Sequence, residues 1–181
     1  MIRLFVAIDL PDDVRSRLAA LCSGVPGAKW VRPENLHLTL RFIGEVDGAA
    51  AADIGEALGN VRAPAFEMIL GEIGHFGSRS RLRALWAGVE ANAALEHLQA
   101  KVESALVRAG LEPESRKFLP HVTLARLKDV RIARARDFLA ASNPFQTGPI
   151  AVERFALYSS FLSQDGAIHR IEAGYELDAA G

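Results

Sequence analysis

Apolar positions recur along the chain with two alternating periods. Residues 3–9 (RLFVAID) form a short apolar run bounded by charge and predict a strand; LPDDVRSRLAALC then spaces Val14, Leu18, Leu21 and Cys22 as one helical face, with Pro11 and two aspartates suited to a first turn. A turn-rich stretch through Gly27 leads into a strand around HLTL. Asp47 and Gly48 open a second helix with Ala50, Ile54, Ala57, Leu58 and Val61 on one face, and FEMILGEI after Pro64 alternates as a strand does.

The same order then begins again. Leu82 to Glu90 (LRALWAGVE) reads as a strand, and Asn92 caps a long helix whose Leu95, Leu98, Val102, Leu106 and Ala109 face inward before Gly110 closes it. FLPHVTLARL follows as a strand, then a basic helix from about Arg131 to Ala141, then the strands IAVERFALYSS and IHRIEAGYEL. The two strands with an H-x-T segment place His37 and His121 84 positions apart (121 minus 37), and the other elements recur at a similar offset. This is an internal duplication of topology, with approximate copies at 3–73 and 82–160 within a single domain spanning 1–181. Two such copies pack about an approximate two-fold axis. The expected fold is α+β and bilobed, with a central cleft and one H-x-T on each wall.

Composition narrows the function. A chain of 181 residues, half apolar and a quarter charged, is globular, and a net charge of -1 leaves no global field for long nucleic acid. An anion must be met by a local basic cluster. The single cysteine, Cys22, permits no internal disulfide and suits a cytoplasmic location, and no stretch reads as a membrane span. A monomer is expected.

Side chains alternate across a strand, so His37, Thr39 and Arg41 share one face while Leu38, Leu40 and Phe42 share the other. By the same parity His121 and Thr123 share a face, whereas Arg126 falls on the opposite side and reaches a cleft only if the strand twists, bulges or ends near Ala125. One H-x-T carries little meaning; two on matched strands define a candidate site. Trp30, Trp86 and Phe5 read as packing aromatics, His75 and His169 as surface residues, and Arg79, Arg81 and Arg83 as a solvated edge that could form a basic rim.

Two imidazoles flanking one centre can act as base and acid in a single displacement at phosphorus, one taking a proton from water and the other giving one to the departing sugar oxygen. Threonine hydroxyls and an arginine then hold the non-bridging oxygens, and no metal or other cofactor is required. A zinc site ranks below this scheme, because each H-x-T strand supplies one histidine and no H-E-x-x-H or C-x-x-C spacing supplies a third ligand. A binding module for phosphorylated RNA ends, using the threonines and arginines alone, is the reading from a different class.

RLFVAIDLP, WVRPENLHLTLRFIGEV, LWAGV, FLPHVTLARL and LYSSFL together resemble the bacterial and archaeal RNA 2',3'-cyclic phosphodiesterases of the 2H phosphoesterase superfamily, the LigT or ThpR family. The resemblance runs from Arg3 to the last strand. It implies an antiparallel sheet in each lobe with helices on the outer face, and metal-independent opening of 2',3'-cyclic phosphate ends to 2'-phosphomonoesters. Residue by residue, it implies His37 as proton donor to the leaving 3' oxygen, His121 as base, and Thr39, Thr123, Arg126 and Arg41 as phosphate contacts. Arg41 stands where relatives frequently have lysine, and His169 where they often have an aromatic residue. The resemblance also implies 2'-5' RNA ligase activity, the reverse reaction, in which a sugar hydroxyl replaces water. The substrates it allows run from tRNA halves through short oligonucleotides to mononucleotides.

Overall fold

The computed structural model describes residues 1–179. In chain order the elements are β1 (Ile2–Asp9), α1 (Asp12–Ala19), β2 (Lys29–Trp30), a 3-10 turn (Pro33–Asn35), β3 (His37–Val46), α2 (Gly48–Gly59), β4 (Phe66–Met68), β5 (Leu70–Ser78), β6 (Arg81–Val89), α3 (Ala93–Arg108), β7 (His121–Val130), α4 (Ile132–Ser142), β8 (Ile150–Val152), β9 (Arg154–Ser163) and β10 (Gly166–Glu176). The predicted helix starts form for the expected reason. Asp47 accepts a hydrogen bond from the Ala50 N–H (2.8 Å) and Asn92 one from the Leu95 N–H (2.9 Å), each satisfying a donor that the first helical turn leaves unpaired.

Two segments expected as single strands are each divided. FEMILGEI splits into β4 and β5, and β5 continues to Ser78, so that His75 lies within a strand. IAVERFALYSS splits into β8 and β9. The short pieces β4 and β8 pair with each other, Phe66 opposite Val152.

All other strands join one antiparallel sheet in the order β10-β9-β1-β3-β7-β6-β5, with β2 added beside β7. The α+β class holds. The sheet is symmetric about the β3–β7 junction, which consists of one register pair, Leu38 opposite Val122. On one side β3 is followed outward by β1 and β9; on the other β7 is followed by β6 and β5. Each half therefore takes its third strand from the other half of the chain, since β9 pairs with β1 and β5 with β6. This exchange interlocks the halves through backbone hydrogen bonds.

The core beneath the sheet comes from the alternate residues of these strands and the inner faces of the helices: Leu4, Val6 and Ile8 of β1, Leu38 and Leu40 of β3, Val122 and Leu124 of β7, and Leu95, Leu98 and Val102 of α3. Helix α3 lies against β3 and β4, α2 against β1, β10 and α3, and α4 against β5. A narrow junction between two well-packed halves leaves room for a cleft above it.

Candidate active site

Each histidine is the first residue of its strand and is held in the same way. The Nδ1–H of His37 donates to the Asn35 carbonyl (2.6 Å), and that of His121 to the Leu119 carbonyl (2.6 Å), in both cases two residues upstream. A carbonyl accepts only, so it fixes the proton on Nδ1 and leaves Nε2 as the reactive nitrogen. Local sequence explains the geometry. Pro33 starts the 3-10 turn that presents the Asn35 carbonyl, and Pro120 holds the backbone extended ahead of His121.

Both histidines line one cleft of about 520 Å³ together with Thr39, Thr123 and Arg126. The five residues assigned most firmly from sequence are thus brought together. Arg126 arrives by a bulge. Ala125 pairs with Leu85 and Thr123 with Trp86, so Leu124 is an extra residue in β7; Leu124 and Ala125 are both buried, and strand parity reverses beyond them. The guanidinium side of Arg126 therefore shares the cleft face with Thr123.

The same device removes Arg41 from the site. In β3, Thr39 pairs with Ala7 and Arg41 with Val6, leaving Leu40 as the extra residue. Arg41 turns away from the cleft, donating to Glu103 on α3 (2.6 Å) and to the Phe42 and Glu112 carbonyls (2.6 Å each). Phe42, which regular alternation sets on the face of Leu38 and Leu40, takes its place on the cleft with 51% of its surface exposed. The expectation that Arg41 contacts phosphate is corrected: regular alternation fails at Leu40, and an ion pair occupies the guanidinium.

Several cleft residues were assigned other roles or passed over. Phe5 stacks on the His37 ring (centroids 4.9 Å apart), His169 meets His37 edge-on (5.4 Å), and Trp30 also lines the cleft. Lys29 pairs in register with Arg126 through β2, and neither forms an ion pair among the described residues. Asn35 both orients His37 and ties the 3-10 turn to β10 by donating to the Ala167 carbonyl (2.8 Å). The signal for Lys29 and Asn35 was their place in WVRPENLH, directly ahead of the first histidine. Arg81 pairs instead with Asp129 (3.2 Å), and Arg79, Arg81 and Arg83 lie outside the cleft lining.

The electrostatics of the two rings differ. Burial pulls the His37 imidazole down to about 4, opposed by its hydrogen bond to Asn35 and reinforced by His169, Arg126 and Arg15. In the free protein His37 is therefore neutral at pH 7, and its Nε2 accepts a hydrogen bond from the Thr39 hydroxyl (3.0 Å). His121 Nε2 has no protein partner among the described residues. His169 is lowered too, by burial first and Arg126 second. Burial pushes the Cys22 thiol up to about 11, which leaves it no nucleophilic role. Among the described residues no cluster of three or more His, Cys, Asp or Glu side chains forms a metal-ligand set.

An antiparallel α+β sheet that presents two carbonyl-anchored histidines, each with a threonine two residues on, to one basic cleft defines a phosphoester-binding class of protein. The family model described as LigT like Phosphoesterase matches residues 8–86 and again 88–169. The chain belongs to this family. It is 39% identical to the RNA 2',3'-cyclic phosphodiesterase of Aeropyrum pernix over 87% of this chain and 89% of that one, and 34% identical to that of Thermotoga maritima over 93% and 92%. Among solved structures, that of E. coli LigT complexed with 3'-AMP superposes with a TM-score of 0.80 at 29% identity, covering 97% of this chain and 98% of the other. None of the described helices is long and apolar enough to cross a membrane.

Proposed function

We propose that this protein hydrolyses RNA 2',3'-cyclic phosphate ends to 2'-phosphomonoesters by paired-histidine acid–base catalysis. The observation that carries the reading is the matched anchoring of His37 and His121 through Nδ1, which leaves the Nε2 of His121 without a protein partner among the described residues and that of His37 bonded only to the Thr39 hydroxyl, both rings lining the same basic cleft. The Aeropyrum and Thermotoga relatives are named RNA 2',3'-cyclic phosphodiesterases, which supports the same substrate class here.

His121 Nε2 has no competing protein partner among the described residues and is suited to take the proton from water as it attacks phosphorus. His37 then protonates the departing 3' oxygen. Its low pKa in the free protein means that the ring must gain a proton on binding: a phosphodiester anion beside it favours the imidazolium and raises the pKa, and the proton is taken up from solvent. Thr39 gives up its bond to the ring and donates to a non-bridging oxygen, with Thr123 opposite. Arg126, free of ion pairs among the described residues, supplies positive charge where negative charge develops.

The same pair supports the reverse reaction, 2'-5' joining, when a sugar hydroxyl replaces water. The reading extends to the organisation of the chain: two copies, near 3–73 and 82–160, each contribute one histidine strand. The double match of the family model and the recurrence of the extra leucine at Leu40 and Leu124 support this.

The test is turnover of a nucleoside 2',3'-cyclic phosphate in excess EDTA, followed by phosphorus NMR. Formation of the 2'-phosphate alone is expected. Loss of activity on chelation with recovery on adding zinc would overturn the metal-free scheme, and calorimetric binding without turnover would leave a binding module in its place.

A further inference from the structure

A second pocket of about 540 Å³ adjoins the cleft, and His121 lines both while His37 lines only the cleft. We propose that this pocket receives a guanine base, carried by the nucleoside whose 5' oxygen lies on the His121 side of phosphorus. The inference rests on the acid–base reading above and extends it to a second nucleoside.

The two cavities have opposite chemistry. The cleft is rimmed by Arg3, Lys29, Arg32 and Arg126, as an RNA backbone requires. The second pocket is walled by Phe76, Trp86, Leu119 and Phe145, its acidic residues are Glu72 and Glu90, and among the described residues its lining holds no Lys or Arg. Two carboxylates repel phosphate. They accept hydrogen bonds from a neutral ring that bears N–H donors, and aromatic walls bind such a ring by stacking.

The aromatic wall is constructed by glycine. Across from Phe5 in β1 stands Tyr158, which stacks on it (5.1 Å); across from Trp86 in β6 stands Gly74. A Cβ on Gly74 would lie 2.5 Å from the indole, and one on Gly88 3.0 Å, so their absence lets the ring lie flat over the strands. The place that Tyr158 takes beside Phe5 in one half of the sheet is thus taken in the other by the Trp86 ring itself, whose face forms the pocket wall. Phe76 meets the His121 ring edge-on (4.8 Å), which makes the pocket continuous with the reacting group.

Glu72 selects the base. It has a left-handed backbone (φ 49°) at the bulge between Gly71 and Ile73, a costly conformation for a non-glycine residue, and its N–H donates to the Phe145 carbonyl (3.1 Å). Its carboxylate makes no hydrogen bond or ion pair among the described residues, whereas the Glu90 carboxylate already accepts from Gln146. Guanine offers N1–H and an N2 amino group side by side, a bidentate match for a carboxylate that adenine, cytosine and uracil do not provide.

The placement gives the pocket a role in cleaving a 2'-5' linkage. Neutral His37 takes the proton of the ribose 3' hydroxyl, O3' bonds to phosphorus, the bond from phosphorus to O5' breaks, and protonated His121 gives its proton to O5'. A 2',3'-cyclic phosphate and a nucleoside with a free 5' hydroxyl result, and joining is the reverse.

The experiment compares 2'-5'-linked dinucleotides carrying cytidine on the 2' side and each of the four bases on the 5' side, with cytidine 2',3'-cyclic phosphate as reference. Wild-type protein is expected to show a KM about tenfold lower for guanine than for the other bases. Glu72→Gln, at an exposed residue that the core does not need, removes this preference while opening of the cyclic phosphate is unchanged. Equal KM for all four bases, or cyclic phosphate opening without any cleavage of the dinucleotides, overturns the inference and leaves the proposed function standing. Failure to open the cyclic phosphate at all overturns the function itself.

Discussion

Phe42 and Arg126 occupy equivalent places on β3 and β7, each two residues beyond an extra buried leucine and each turned into the cleft. The offset between them, 126 minus 42, is the same 84 that separates His37 from His121. One bulge thus sets an aromatic ring beside the first H-x-T and the other sets a guanidinium beside the second. The walls match in backbone and differ in charge, since the position that carries a phenyl ring on β3 carries a guanidinium on β7.

Arg126 and Arg41 consequently respond differently to truncation. Arg126→Ala is expected to lower kcat/KM on a cyclic nucleotide by 10²–10³-fold or so with little change in stability, because the side chain is exposed and makes no ion pair among the described residues. Arg41→Ala leaves kcat/KM near wild type and lowers unfolding free energy by about 2 kcal/mol, since Glu103 loses its partner at the edge of the core. Steady-state kinetics and urea denaturation, run on both variants, separate the two effects.

On the proposed mechanism, replacing either ring removes a proton-transfer step. His37→Ala and His121→Ala are each expected to lower kcat roughly a hundredfold or more in EDTA. The double variant falls little further, because acid and base act as a unit. Additive losses in the double variant would show that the two rings work independently.

The buried state of His37 makes stability depend on pH. Its pKa is about 4 in the folded protein against an ordinary 6.5, so between those values the unfolded chain binds more protons. The folded state therefore loses stability as pH falls from about 6.5 towards 4, by about 3 kcal/mol over the window. Chemical denaturation at a series of pH values checks the slope, and His37→Gln flattens it. Proton NMR of the ring gives the midpoint, which rises when a phosphate anion is added.

The fit of Trp86 over Gly74 sets a further expectation. Gly74→Ala places a methyl group within the van der Waals radius of the indole, so the ring must tilt away from the strands. A loss of about 1–3 kcal/mol follows from overpacking. The change also narrows the pocket beside His121, and tryptophan fluorescence reports the displaced ring.

Much of this protein was legible in its amino-acid pattern. Helix starts at Asp47 and Asn92, the strand order along the chain, and the pairing of His37–Thr39 with His121–Thr123 depend on capping chemistry, side-chain alternation and repetition, all of which act over a few residues or recur visibly. Alternation misled at Arg41 and Phe42 and withheld Arg126, because a bulge is fixed by the neighbouring strand and leaves no mark in the strand that carries it. Likewise, only the fold pairs β9 with β1 and β5 with β6, setting Tyr158 against Phe5 and Gly74 against Trp86. The chain alone determined which groups are available for chemistry; register between strands decided which of them meet in the cleft, since hydrogen bonding across a sheet joins residues that sequence separation keeps apart.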